Sequence, residues 1–113
     1  MALDEPTYSR LAEETLKRLT ERIDDELQDH LEAEYAAGVL TIDLEAGGTF
    51  VVNKQAPNRQ LWLASPVSGA WHFDYREGPG LAARWVATRG GDTLAAVLSR
   101  ELTQATGVAL VLD

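Results

Sequence analysis

The chain has 113 residues, 45% of them apolar and 25% charged, a balance typical of a globular protein with one hydrophobic core. It contains no cysteine, which excludes disulfides, thiolate-bound metals and thiol catalysis. The net charge of −8 is concentrated in residues 1–45, where thirteen acidic residues accompany four basic ones. Such a negative field repels nucleic acid and anionic membranes, and it attracts cations and basic protein surfaces.

Two further observations concern targeting. The first residues show neither the apolar stretch of a secretion signal nor the arginine-rich composition of a transit peptide. No apolar run approaches the roughly 20 residues that a membrane-spanning helix needs. We therefore predict a single cytoplasmic domain over residues 1–113, without partners among membranes or nucleic acids.

The first predicted element is an amphipathic helix over residues 4–27. Asp4 or Glu5 can cap its start, and Pro6 is suited to a first turn. The apolar positions recur every three or four residues, as one buried helix face requires: Tyr8, Leu11, Ala12, Leu16, Leu19, Ile23 and Leu27.

The period then changes to two, which predicts strands. Alternating apolar and polar residues mark strands at 31–35, 40–44, 49–55, 60–64 and 71–75, and a short strand is expected near 84–88. Gly90, Gly91 and Asp92 precede a second helix, which Gly107 ends. The apolar tail, 108–112, is expected to pack against the rest of the chain.

This order predicts an α+β fold. Two helices flank five or six consecutive antiparallel strands, so the expected architecture is a two-layer α-β sandwich. Both helices should cover one face of a single antiparallel sheet, and the other face should be open.

Alternation also predicts which residues lie on the open face. Because Leu61 and Leu63 take the core side, Trp62 points outward. The same reasoning places a histidine, an asparagine and a glutamine on that face, namely His72, Asn53 and Gln55. An outward tryptophan among polar side chains is typical of an interface anchor. The alternative is a surface aromatic without function.

Residues 53–69, together with the His-Phe-Asp-Tyr sequence at 72–75, resemble the central signature of the frataxin family. Residues 38–42 resemble the second strand of that family. The resemblance implies the frataxin-like fold, weak binding of Fe²⁺ and Fe³⁺ along an acidic ridge, and association with the cysteine desulfurase and scaffold protein of iron–sulfur cluster assembly. Bacterial members of the CyaY type are cytoplasmic regulators, and this chain is expected to be one.

Two departures from the family pattern stand out. Residues 76–83 are longer than the corresponding hairpin, which leaves the position of Trp85 open. The ridge is also sparser than in the most acidic members, which leaves the number of iron sites open.

Acidic side chains supply the candidate metal ligands, because hard oxygen donors suit iron and similar cations. Too few basic residues accompany them to neutralise the cluster, although a solvated helix face is the alternative reading. Exposed carboxylates without a cage bind divalent cations weakly, at roughly micromolar to millimolar levels. The candidates are Glu13, Glu14, Glu21, Asp24, Asp25, Asp29, His30, Glu32, Glu34 and Asp43.

An enzyme is the less favoured interpretation. The sequence has no Glu-x-x-His pair for a di-iron bundle site and no glycine-rich phosphate loop. The alternative to a regulator is an iron chaperone or storage protein with ferroxidase-like activity. Turnover of Fe²⁺ and oxygen would identify the latter, whereas a regulator only changes the desulfurase rate. A monomer is expected without iron, and oligomers can form with it.

Overall fold

The structure is a computed structural model, and it describes residues 3–113. The helices are α1 (Glu5–Leu27) and α2 (Leu94–Thr106). Between them lie the strands β1 (Leu31–Ala36), β2 (Val39–Leu44), β3 (Thr49–Gln55), β4 (Gln60–Ser65), β5 (Gly69–Tyr75) and β6 (Trp85–Ala87). Short 3-10 turns occupy Ala56–Asn58 and Ala82–Arg84.

The six strands form one sheet in the order β1-β2-β3-β4-β5-β6, and every neighbouring pair is antiparallel. The strands from β1 to β5 pair consecutively because short turns join them, with positive φ at Ala37 and Gly38 between β1 and β2. A longer connection, residues 76–84, leads from β5 to β6. Both helices pack against this sheet, and the predicted two-layer α-β sandwich is confirmed. No helix in the described part of the chain is long and apolar enough to cross a membrane.

The start of α1 follows from its sequence. The Asp4 carboxylate accepts a hydrogen bond of 2.8 Å from the Thr7 amide and caps the helix. Pro6 lies in the first turn, where no intrahelical amide donor is needed. The predicted apolar stripe is buried or partly buried in the core that α1 shares with the sheet.

The second helix follows the turn of Gly90, Gly91 and Asp92, as predicted. Thr93 is the N-cap, and its hydroxyl accepts from the Ala96 amide at 3.0 Å. The main-chain oxygen of Asp92 accepts from the Ala87 amide at 2.7 Å, which ties the turn to β6. Gly107 ends the helix in the left-handed conformation, as predicted.

Trp85, whose position the sequence left open, lies in the centre of the core. Its side chain is fully buried, and its indole N–H donates to the Thr15 hydroxyl of α1 at 2.9 Å. The ring meets Tyr8 and Tyr75 edge to face, with centroid separations of 6.1 and 5.3 Å. Trp85 therefore fixes β6 against α1.

The apolar tail packs against the rest of the chain, as predicted. Leu110 and Leu112 are buried, and the Arg22 guanidinium of α1 donates to the Val111 carbonyl at 3.0 Å. The main-chain oxygen of Asp113 accepts from the amides of residues 81 and 83 at 2.6 and 3.2 Å. These bonds hold the long connection between β5 and β6 in place.

Candidate functional site

The open face of the sheet carries the four residues predicted to bind a partner. Strand register places Trp62 of β4 directly between Asn53 of β3 and His72 of β5. Gln55 lies one pleat further along β3, opposite Gln60. Leu61 and Leu63 are buried on the other side, so the predicted assignment of faces is confirmed.

Two contacts fix the indole of Trp62. Its ring stacks on the His72 imidazole, with centroids 4.2 Å apart and planes 8° from parallel. Its N–H donates to the side-chain oxygen of Gln60 at 2.7 Å. The amide of Gln60 in turn donates to the Asp74 carboxylate at 2.9 Å. Gln60 and Asp74 were missing from the predicted site, although their alternation with core residues already places them on this face.

Residues close in sequence occupy part of the hydrogen-bonding capacity of the Asn53 and Gln55 side-chain amides. Asn53 donates through Nδ2 to the Lys54 carbonyl at 3.0 Å, and Gln55 accepts through Oε1 from the Asn58 amide at 2.9 Å. Within residues 3–113, Oδ1 of Asn53 and Nε2 of Gln55 have no hydrogen-bond partner. One acceptor and one donor are thus available to another molecule. We define the Trp62 face as these residues together: Asn53, Gln55, Gln60, Trp62, His72 and Asp74.

The acidic residues of α1 fall into two groups. Glu13 and Glu14 are already paired, with Lys54 at 3.1 Å and Arg10 at 3.6 Å. Within residues 3–113 no ion pair involves the remaining predicted ligands of this segment, all of them exposed. We refer to three of these as the helix acids, Glu21, Asp24 and Asp25; Asp29 follows in the turn after α1.

The acidic residues of β1 and β2 lie elsewhere. Glu32 pairs in register with Asp43, and Glu34 pairs with Thr41, all on the open face. The Thr49 hydroxyl donates to the Asp43 carboxylate at 2.7 Å. We call Glu32, Glu34 and Asp43 the sheet acids. They share a sheet face with Trp62, whereas the helix acids belong to the opposite layer.

His30 lies in the tight turn between α1 and β1 and is partly buried. Its main-chain amide donates to the Leu27 carbonyl and its carbonyl accepts from the Glu45 amide, both at 2.9 Å. Across residues 3–113, no three histidine, aspartate or glutamate side chains converge closely enough to hold a metal ion. The carboxylates suit a hard cation by their chemistry, but they form no preorganised cage.

Lys54 attaches α1 to the sheet. It lies on the helix side of β3, and its ammonium donates to the Ser9 hydroxyl at 2.7 Å and to the Glu13 carboxylate at 3.1 Å. The hydrogen bond from Lys54, together with one from Ser9, lowers the pKa of Glu13. Glu13 is therefore the least available of the predicted metal ligands.

This ion pair has a testable pH dependence. A lowered pKa in the folded state means that the stabilisation is fully present above the ordinary glutamate pKa and is lost as the pH falls through the folded value. Substituting Lys54→Met keeps the side-chain stem and removes the ammonium, so the pKa of Glu13 should rise. Carboxyl-detected NMR titration measures this shift.

Asp4 is the internal control for that titration. Its pKa is lowered by hydrogen bonds from Thr7, which the substitution leaves intact. A Glu13 pKa that does not respond to Lys54→Met, or an equal rise at Asp4, would contradict the assigned cause.

A buried carboxylate fixes the turn between β4 and β5. Glu101 of α2 is 3% exposed and accepts from the hydroxyls of Ser65 and Ser68, both at 2.6 Å. The Ser68 hydroxyl also accepts from the Trp71 indole at 2.8 Å. Glu101 was not among the predicted functional residues, because a single acid on an apolar helix face carries no pattern. Its effect is to hold the hairpin that presents both Trp62 and His72.

Sequence comparisons agree with this architecture. The family model described as frataxin-like domain matches residues 1–108. The iron-sulfur cluster assembly protein CyaY of Pseudomonas fluorescens is 38% identical over 107 residues, covering 95% of this chain and 93% of its own length. The mitochondrial frataxin homolog of Schizosaccharomyces pombe is 39% identical over 107 residues, covering 91% of this chain. The chain spans 66% of the length of that relative.

Solved structures show the same fold. A frataxin from Psychromonas ingrahamii superposes with a TM-score of 0.84 over 98% of this chain and 99% of its own, at 22% identity. A trimeric frataxin of Saccharomyces cerevisiae, in a ferrous complex, gives 0.69 over 95% of this chain and 89% of its own, at 35% identity.

Proposed function

This chain belongs to the frataxin family, and from that premise we propose that it is an iron-binding regulator of iron–sulfur cluster assembly. Its partners would be the cysteine desulfurase and the scaffold protein, and its site of action the bacterial cytoplasm. The similarity to CyaY proteins along nearly their whole length supports the role in cluster assembly. The ordered Trp62 face is the observation that carries the adaptor role.

The Trp62 face has the composition of a protein interface. Trp62 is partly exposed and held in one orientation by Gln60 and His72, so little side-chain entropy is lost on binding. The neighbouring strand β3 carries polar amides with one unused donor and one unused acceptor, those of Asn53 and Gln55. Aromatic anchors surrounded by such groups are typical of interface hot spots.

Iron binding is proposed for the helix acids. Their charges are unpaired within residues 3–113, and mutual repulsion among them is relieved by a cation. Without a cage, the affinity should be weak, on the order of micromolar to millimolar. The chain is proposed to be monomeric without iron and to form oligomers with it. The trimeric yeast frataxin in its ferrous complex supports the oligomer.

A desulfurase assay tests the proposed function. Sulfide release by a bacterial cysteine desulfurase with its scaffold protein is measured with and without this protein, and with and without Fe²⁺. A rate that changes on adding the protein, and changes further with Fe²⁺, is the expected result. An unchanged rate contradicts the regulatory role, and catalytic turnover of Fe²⁺ and oxygen would assign the ferroxidase activity instead.

Two matched variants test where the metal binds. One is Glu21→Gln with Asp24→Asn and Asp25→Asn; the other is Glu32→Gln with Glu34→Gln and Asp43→Asn. Each removes three negative charges. Titration with Co²⁺ should shift the NMR signals around residues 21–29 first in the native chain.

The two variants should then respond differently to Co²⁺. The helix-acid variant should lose most of these shifts, and the sheet-acid variant should keep them. Equal losses in both would show that only the total charge matters, which contradicts a site on α1.

A further inference from the structure

Two residues besides the stacked His72 determine the orientation of Trp62, namely Gln60 and Asp74. Its indole N–H points along β4 to the Gln60 oxygen at 2.7 Å, and that amide points across to Asp74 at 2.9 Å. Gln60 and Asp74 are register partners on adjacent strands. A chain of hydrogen bonds therefore runs from a carboxylate on β5, through an amide, to the indole on β4.

Each member of this chain has a defined role. The Asp74 carboxylate can only accept, so it selects the NH₂ group of Gln60 and turns the amide oxygen towards Trp62. That oxygen can only accept, so it selects the indole N–H. Stacking on the His72 imidazole further limits rotation of the indole ring. Together these contacts leave the indole one orientation.

We infer that Gln60 and Asp74 are positioning residues: they hold the Trp62 indole in one orientation and occupy its N–H with a hydrogen bond. A partner therefore meets the ring surface of Trp62 but no indole donor. This inference rests on the proposed function, because it assigns a purpose to the orientation of an interface residue. It adds that the polar recognition on this face comes from Asn53 and Gln55, whose unused groups belong to the neighbouring strand β3.

The first arm of the test needs no partner. Hydrogen exchange of the indole N–H is followed by NMR for all three tryptophans. Gln60→Leu should accelerate exchange at Trp62 by up to about tenfold, the value of one ordinary hydrogen bond. Trp71 and Trp85 serve as internal references, because their indoles donate to Ser68 and Thr15 respectively.

A single and a double substitution test whether directed hydrogen bonds, rather than packing alone, hold the Trp62 indole in place. Gln60→Glu keeps an acceptor for the indole but places a second carboxylate beside that of Asp74. The two carboxylates repel each other, so the hydrogen bond to the Trp62 indole should weaken. Adding Asp74→Asn supplies an amide that can donate to the new carboxylate, and slow exchange at Trp62 should return. A structural role without directed hydrogen bonds would not produce this rescue.

The second arm measures binding to an immobilised bacterial cysteine desulfurase. Gln60→Leu should weaken binding by about fivefold, because the complex must then order a mobile indole. The Gln60→Glu, Asp74→Asn double variant should recover most of that loss. Gln104→Leu, on the exposed side of α2, is the control for adding an apolar side chain and should bind like the native chain.

The outcomes distinguish this inference from the function on which it rests. If hydrogen exchange at the Trp62 indole is unchanged in Gln60→Leu, the inference that Gln60 holds the indole is overturned. Faster exchange with unchanged binding overturns the positioning role, provided that Trp62→Ala still weakens binding. If Trp62→Ala also binds normally, the proposed interface is wrong, and the positioning role is overturned with it.

Discussion

Replacing Trp85 with alanine is expected to lower the free energy of unfolding by about 3–5 kcal/mol. The side chain is fully buried where α1 meets β6, and it contacts two tyrosine rings, those of Tyr8 and Tyr75. Its removal leaves a cavity that the surrounding helix and strands cannot fill. Urea unfolding of both proteins measures the effect as a lower midpoint at an unchanged slope.

Two controls define the cause of this loss. Thr15→Val removes the hydroxyl that accepts from the Trp85 indole, and leaving that N–H unpaired in the core should cost about 1–3 kcal/mol. Trp71→Ala removes the same mass from a partly exposed position and should cost well under half as much as Trp85→Ala. A larger loss at Trp71 than at Trp85 would contradict the described core.

The strands and their faces could be predicted because one physical rule decides them. Alternation buries Leu61, Leu63 and Phe73, and the same rule puts Trp62 and His72 outside. Short turns make the strands from β1 to β5 pair consecutively, so the order of these five follows as well. Trp85 could not be placed, since the preceding connection has no periodicity and is held by the distant tail.

The site was predicted less completely than the fold. Its hydrogen bonds join residues far apart in sequence, such as Gln60 with Asp74 and Ser65 with Glu101, and no local pattern encodes them. Glu32 and Glu34 were also predicted to belong to one acidic cluster with the acids of α1. Their alternation with Ala33 and Tyr35 already places them on the open face, where the structure has them.

Replacing Trp62 with alanine should leave the fold intact and weaken binding to the desulfurase–scaffold complex by about 2 kcal/mol, the usual scale for an aromatic hot spot. The ring lies outside the core, in contact with His72 and Gln60. Its loss removes short-range contact area, so the effect should appear in the dissociation rate. Surface-binding kinetics at two salt concentrations measure both rates.

The acidic surfaces should instead act on association. Long-range attraction steers a basic partner and fades with salt, because the screening length is only about 8 Å at physiological ionic strength. The sheet acids lie on the face of Trp62, two or three strands away at about 4.8 Å per strand. Their neutralisation should therefore slow association more than neutralisation of the helix acids, although both variants lose the same charge.

The combined result separates three explanations. If Trp62→Ala unfolds the chain, the assignment of the tryptophan to the open face is wrong. If it folds and binds unchanged, the interface lies elsewhere. If binding weakens through dissociation while the sheet-acid variant slows association and flattens its salt dependence, one sheet face performs both steps: the carboxylates of β1 and β2 attract the partner, and Trp62 holds it.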